Sequence, residues 1–399
     1  MEIIILDLFG GSGGVGRCTR ELLRQLEMEQ VSTMLCGRSH VVDSLKIHQA
    51  ATRFIQYANL ERPRFWPGAI KIKLAAKSSP DSVRLADTLL KESHKSAARQ
   101  GATRSILVNY PQVIAPPSQP GNFCVFLHDL NWRLYPGNFF DPDRTDRNCR
   151  GWVERAVKVI TNSECTRDEV IEHYQCAPEK VVAAPLAPFG VKIAQAFDAE
   201  KYLTNLGLVA SRFYLYPGVW GLHKGHDTLT AALELAKSTD PIVVTCGMPL
   251  DGITNSMGAV ATKRRTLVDR WARLIAVKKL VVVHNITDLE MQALRDGCRA
   301  YVLPSAYEGF GFPLVEAIYH HCPAIVSDIK AHREILNRYQ QYKLATLFDS
   351  KSSEALAAEL EHVSLNSTPM SKDWHKSVDA TWSWKNTVRQ ILSALGPVK

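Results

Sequence analysis

The chain has no Cys-x-x-Cys pair, no apolar run of membrane-spanning length, no internal repeat and no low-complexity tract. Its nine cysteines, Cys18, Cys36, Cys124, Cys149, Cys165, Cys176, Cys246, Cys298 and Cys322, are odd in number and scattered. That pattern argues against a zinc site and a disulfide framework and for reduced thiols in a cytosol-like compartment. Met1-Glu2 leads straight into Ile3-Ile4-Ile5-Leu6 with no basic region before it. The expectation is therefore neither a secretory signal nor a membrane span, but a first strand of a cytoplasmic protein. Core-forming residues are not scarce: 46% of the chain is apolar and 22% charged, ordinary globular values. At 399 residues the chain exceeds what one core usually serves, so two domains are expected.

Strand-like and helix-like segments alternate, the pattern of an α/β doubly wound sheet. In the first half, strands are predicted at 3–8, 31–36, 105–108, 123–127 and 157–161. Helices are predicted at 17–27, 82–99, 147–156 and 166–174, with an irregular stretch to about residue 80. Pro185, Pro188 and Gly190, leading into a polar segment near 200, predict a linker. The second half restarts with strands at 214–216, 242–245, 280–283, 300–303 and 324–327. Helices are predicted there at 226–237, 260–275, 288–296, 313–320 and 354–363, and Thr287-Asp288-Leu289-Glu290 predicts a capping box. The division is then 1–190, 191–378 and a closing helical segment 379–399.

Gly10-Gly11-Ser12-Gly13-Gly14-Val15-Gly16 follows the first strand and contains a formal G-x-G-x-x-G at Gly11, Gly13 and Gly16. In a dinucleotide enzyme, an acidic residue after the second strand would hold the adenine ribose. Here Gly37-Arg38 stands in that place, which suits a 2′-phosphate, so an NADP-dependent oxidoreductase is one reading of this half.

The most informative segment is Tyr307-Glu308-Gly309-Phe310-Gly311-Phe312-Pro313-Leu314-Val315-Glu316-Ala317. The apolar run 300–303 reads as a buried strand closed by Pro304-Ser305. Pro313 suits a helix's first turn, where its missing N–H has no partner to lose. Glu308 then lies in the strand-to-helix loop. The helix start offers unpaired N–H groups and a positive dipole end to an anion, with Glu316 one turn further in. A phosphorylated ligand carrying hydroxyl groups fits.

This segment, with Cys322-Pro323-Ala324-Ile325-Val326-Ser327-Asp328 after it, resembles the E-x7-E signature of the retaining nucleotide-sugar glycosyltransferases of family 4. The resemblance implies a GT-B fold: two Rossmann-like domains facing each other across a cleft, the first binding the acceptor, the second the donor, with the last helix crossing back to the first domain. It implies that Glu308 holds sugar hydroxyls, Glu316 the ribose diol, and Lys224 with the N–H groups near Phe310, Gly311, Phe312 and Leu314 the diphosphate. His128, at the end of the strand 123–127, would face the sugar. Gly13, Gly14, Gly218, His223 and Ile286 complete the implied donor set, and Asp129, Asn162 and Ser163 the acceptor side. Many family members carry arginine six residues before the lysine; here that position is Gly218, a departure that leaves the second diphosphate cation unidentified. His223 is expected to be exposed and neutral. The resemblance implies no metal or other cofactor, a GDP- or UDP-sugar donor, and a glycan, lipid-linked or small-molecule acceptor. A non-catalytic sugar-binding relative is a further alternative.

Asp141-Pro142-Asp143 matches the D-x-D pattern of metal-dependent transferases, yet reads as a turn in a polar loop. Histidine spacing suggests no metal site. Residues 51–104 carry eleven Lys or Arg against four acids, +7 of the chain's total of +8, with Phe65 and Trp66 among them. This stretch predicts either a solvated face or contact with an anionic acceptor or a peripheral anionic membrane surface; no nucleic-acid motif accompanies it.

Overall fold

The computed structural model describes residues 2–7, 13–38, 53–57, 86–91, 104–189, 197–218, 220–237, 242–246, 259–339, 344–362 and 374–396. The chain divides into two compact units, Met1–Ala187 with Trp382–Lys399, and Pro188–Thr381.

Among the described residues the first unit is built on a seven-stranded parallel sheet: β1 (Glu2–Asp7), β2 (Ser32–Arg38), β3 (Arg53–Tyr57), β4 (Arg104–Asn109), β5 (Phe123–Leu127), β6 (Lys158–Thr161) and β7 (Val181–Ala183). Their order across the sheet is β3-β2-β1-β4-β5-β6-β7, and every pair is parallel. All five residues of β5 are buried, the signature of a parallel strand covered by helices on both faces. Trp132, Trp152 and Phe123 are among the largest fully buried side chains of this unit. Burying an indole requires a partner for its N–H; Trp152 Nε1 donates to the Ile114 carbonyl at 3.1 Å. The last helix, Trp384–Leu395, is capped by Ser383, whose side chain accepts from Asn386 N–H. It buries Trp384, Val388 and Ile391 and packs on the helix Gly13–Met28 of the same unit.

The second unit repeats the scheme with β8 (Phe213–Pro217), β9 (Ile242–Cys246), β10 (Leu280–Val283), β11 (Ala300–Leu303), β12 (Ala324–Ser327) and β13 (Ala345–Phe348). Its order is β10-β9-β8-β11-β12-β13, again wholly parallel. The expected capping box is present: Thr287 and Glu290 each satisfy the other's backbone N–H at the start of Asp288–Gly297.

Several local expectations are corrected. The stretch expected to be irregular contains β3, a short edge strand. The polar loop around Asp141 is a helix, Pro142–Arg155, with Asp141 as N-cap accepting from Arg144 N–H. The polar segment near 200 holds the helix Ala199–Asn205, and Lys330–Arg338 is a helix that the sequence pattern did not announce. Gly13 and Gly14, expected in a loop, form the first turn of Gly13–Met28. Of the basic stretch, only 53–57, 86–91 and Arg104 are described; Phe65, Trp66 and most of its cations lie outside the described residues.

Candidate functional site

In a doubly wound sheet, ligands bind beyond the carboxyl ends of the strands where the strand order reverses. In the second unit that point lies between β8 and β11. The segment after β8 makes a short 3-10 turn, Leu222–Lys224, and passes through Gly225 into the helix His226–Leu235. The segment after β11 runs from Pro304 to Gly311 and opens the helix Phe312–Tyr319. The two segments are stitched together: Ala306 N–H donates to the His223 carbonyl at 2.8 Å. Gly225 sits at φ +73°, and a Cβ there would lie 1.9 Å from the Pro304 carbonyl oxygen. Only glycine lets these loops approach so closely.

That approach brings Lys224 onto Glu308. Lys224 Nζ donates to both carboxylate oxygens, at 2.8 and 2.9 Å, and Ser305 Oγ donates to Oε1 at 2.7 Å. The two side chains are only 16% and 12% exposed. Burial alone would push the Glu308 carboxyl up. The charge of Lys224, aided by His223, the Lys224 hydrogen bond and His332, outweighs it and holds the group below the usual carboxylate range. Glu308 is therefore an anion at neutral pH, able only to accept hydrogen bonds. Lys224, expected to be a point charge for a diphosphate, is already committed to this pair. An ammonium has three donors, and Glu308 engages two contacts of them. His223 is half-buried, not exposed as expected; burial, then Lys224, lowers it to about 4 against the opposing pull of Glu308, so it is neutral at pH 7.

The floor of this site was not legible as such in the sequence. Ser327 Oγ donates to the Ser305 carbonyl. The buried His332 donates from Nδ1 to the Ser327 carbonyl at 2.8 Å. Gly311, at φ +99°, is the N-cap of Phe312–Tyr319 and contributes no side-chain cap. Its missing Cβ would lie 3.1 Å from Ile335 and 3.5 Å from His332. Leu314 N–H donates to the Gly311 carbonyl at 3.0 Å and Pro313 has no N–H, so the helix start offers the Phe312 N–H and the positive end of its dipole with no capping side chain, an arrangement that suits an anion. Phe310 is buried, and Phe312 stacks on Phe189 at 4.7 Å. Leu314 and Glu316 are buried within this helix, and Ile286 lies half-buried just before the Thr287 cap. At Gly218, a Cβ would meet the ring of Tyr216 at 2.7 Å. Tyr216 in turn donates to the Lys224 carbonyl at 2.9 Å, so this tyrosine occupies the space beside the position where the resemblance led one to look for arginine.

In the first unit the strand order reverses between β1 and β4. Asp7 ends β1, Asn109 ends β4 and His128 follows β5, so three polar side chains stand at the carboxyl ends of three adjacent strands. Asp7, Asn109 and His128 are at most 5% exposed. His128 Nε2 lies 2.7 Å from Asn109 Oδ1. Asn109 Nδ2 donates to Asp7 Oδ2 at 3.3 Å and to Thr19 Oγ1 at 3.1 Å, and Thr19 Oγ1 donates to Asp7 Oδ2 at 2.8 Å. Burial lowers His128 to about 4. Asp129 accepts from Asn131 N–H at 3.0 Å and turns the chain into the single helical turn Asn131–Leu134. Ser163 caps the helix Glu164–Tyr174, and the buried Asn162 keeps its Oδ1 without a hydrogen-bond partner among the described residues. Of the glycines, Gly14 is exposed at the start of its helix.

Residues 205–379 match the family model described as glycosyl transferases group 1. The O-antigen chain mannosyltransferase RfbU of Salmonella typhimurium is 23% identical over 242 residues, 61% of this chain and 62% of that protein. The O-antigen chain mannosyltransferase B of Escherichia coli is 23% identical over 279 residues, 67% of this chain and 68% of that one. The alignment with RfbU thus spans less than two thirds of that relative's length. Among solved structures, Anabaena HepE in complex with UDP and glucose superposes with a TM-score of 0.70 at 16% identity, covering 99% of both chains. At that identity the likeness is one of fold, and the fold is GT-B. No helix among the described residues is long and apolar enough to cross a membrane.

Proposed function

We propose that this chain, whose residues 205–379 match the family model of glycosyl transferases group 1, moves a sugar from a nucleotide-diphosphate donor to a hydroxyl of a glycan, lipid-linked or small-molecule acceptor, with retention of configuration and without a metal ion. The observation that carries this reading is the anchored Glu308 beside an uncapped helix start. A fixed anion suits hydroxyl groups of a sugar, and the helix start suits the phosphates attached to it. The O-antigen mannosyltransferase relatives support a mannosyl donor, and the HepE complex with UDP and glucose supports a nucleoside diphosphate as the leaving part. Nothing in these comparisons favours the NADP-dependent reading of the glycine loop or a purely sugar-binding role.

In the second unit, Glu308 accepts from sugar hydroxyls, and Lys224 stands beside it as a cation whose remaining donor reaches a phosphate oxygen. The Phe312 N–H at the helix start faces the diphosphate, and Glu316 takes the ribose diol. In the first unit, His128 meets a sugar hydroxyl; Asp129, Asn162 and Ser163 lie on the acceptor side. As the glycosidic bond to phosphate breaks, the sugar becomes oxocarbenium-like, and the departing diphosphate accepts the proton of the incoming hydroxyl on the same face. No protein nucleophile is needed. The protein's contribution is positioning and stabilisation of the leaving charge. The basic segment 51–104 supplies the anionic acceptor or membrane surface with counter-charge.

The test is a panel of UDP- and GDP-sugars, with release of free nucleotide diphosphate followed in the presence of EDTA. Release from one member of the panel, unaffected by EDTA, is the expected result. Loss of release with EDTA and its return with Mn²⁺ would overturn the metal-free mechanism.

A further inference from the structure

The chain Asp7–Asn109–His128 decides which nitrogen of His128 carries its proton. A carboxylate can only accept. Thr19 Oγ1 and Asn109 Nδ2 both point their hydrogens at Asp7 Oδ2, at 2.8 and 3.3 Å. The Asn109 amide is therefore oriented: reversed, its carbonyl oxygen would face the Asp7 carboxylate, acceptor against acceptor, in a place with no exposure to water. With Nδ2 held toward Asp7 and Thr19, Oδ1 is turned toward His128 Nε2 at 2.7 Å. That oxygen too can only accept, so Nε2 must carry the hydrogen. Burial keeps the ring neutral, and a neutral imidazole with hydrogen on Nε2 presents a lone pair at Nδ1. The rings of Phe126 and Tyr110, with centroids 4.5 and 6.2 Å from that of His128, flank the imidazole.

We infer that Asn109, oriented by Asp7 and Thr19, is a positioning residue that fixes His128 as the Nε2–H tautomer, so that Nδ1 meets its ligand as a hydrogen-bond acceptor. The inference rests on the glycosyl-transfer reading only for the identity of that ligand. An acceptor nitrogen selects a hydroxyl that donates, such as a sugar hydroxyl, and does not select a phosphate oxygen, which carries no proton to give.

Long-range ¹H–¹⁵N correlation spectra of the full chain, with the His128 signal assigned by its loss in His128→Gln, report the tautomer directly. The expected result is Nε2–H alone at pH 7. Asp7→Asn keeps the shape but lets the amide chain reverse, and Asn109→Ala removes the link. In both, checked as folded by circular dichroism, the single tautomer should give way to a mixture. Nucleotide release should fall about tenfold to hundredfold, the span of one buried hydrogen bond, with the KM for donor changed less than kcat. An Nδ1–H tautomer in the unaltered chain, or a tautomer unmoved in both variants, overturns the inference. A chain with the expected tautomer that releases nucleotide from no donor overturns instead the transfer reading and the hydroxyl ligand drawn from it.

Discussion

Lys224 and Glu308, eighty-four residues apart in the chain, meet with one ammonium nitrogen between 2.8 and 2.9 Å from both carboxylate oxygens. The pair joins the two loops that leave β8 and β11, so a side chain expected to serve the donor's phosphates also fixes the carboxylate expected to serve its sugar. Function and local stability are therefore coupled at this point.

Lys224→Met tests that coupling. Removing the cation leaves Glu308 with Ser305 and an uncompensated desolvation, so its carboxyl rises toward and beyond the ordinary range, and the acid limb of the pH–rate profile moves to higher pH. Breaking a fully buried pair costs about 3–5 kcal/mol. With some solvent reaching this one, about 1–3 kcal/mol is expected, and Lys224→Met combined with Glu308→Gln should recover part of that loss in a double-mutant cycle. Additive losses, with the acid limb unmoved, would show that the pair carries no such role.

Acid stability provides an independent check through His128. Its folded value is about 4 against an ordinary 6.5. Between those values the unfolded chain binds a proton that the folded chain refuses. The stability is therefore complete above about pH 6.5 and is lost as pH falls toward 4, with little further change below. For His128 the loss amounts to roughly 3 kcal/mol. Neutral, partly buried His223, also lowered to about 4, acts in the same window and the same direction. Urea unfolding at pH 7 and pH 4.5 should show a drop for the unaltered chain that shrinks by about 2 kcal/mol in His128→Gln. An equal drop in both would mean that His128 is protonated in the folded chain.

The sequence made the strand–turn–helix around Glu308 legible because each signal there is local: an apolar run, Pro304-Ser305, Gly311 and Pro313 at a helix start. The same holds for Thr287 and Glu290, whose capping box is a matter of three residues. What escaped reading depends on contacts between distant segments. Nothing local distinguishes a lysine bound to a phosphate from one bound to Glu308. Asp7 and Asn109 each end an apolar strand, which is a signal for a strand's carboxyl end, but only the reversal of strand order between β1 and β4 sets them side by side. His332 lay in a polar segment whose helix, Lys330–Arg338, has few apolar residues to mark it, and its burial comes from the loop around Ser327 and Gly311. The D-x-D at Asp141 misled for a different reason: an aspartate followed by proline is as good a helix cap as a turn, and here it is the cap.

Whether Glu308 acts on the sugar and not on the nucleotide is decided by Glu308→Gln. Nucleotide binding by calorimetry and nucleotide release from the preferred donor are measured on the same preparation. Release is expected to fall about a hundredfold or more, as for loss of a charged group that stabilises the transition state, with the dissociation constant of the nucleotide diphosphate changed by no more than a few-fold. Release at the unaltered rate in Glu308→Gln would contradict an action on the sugar.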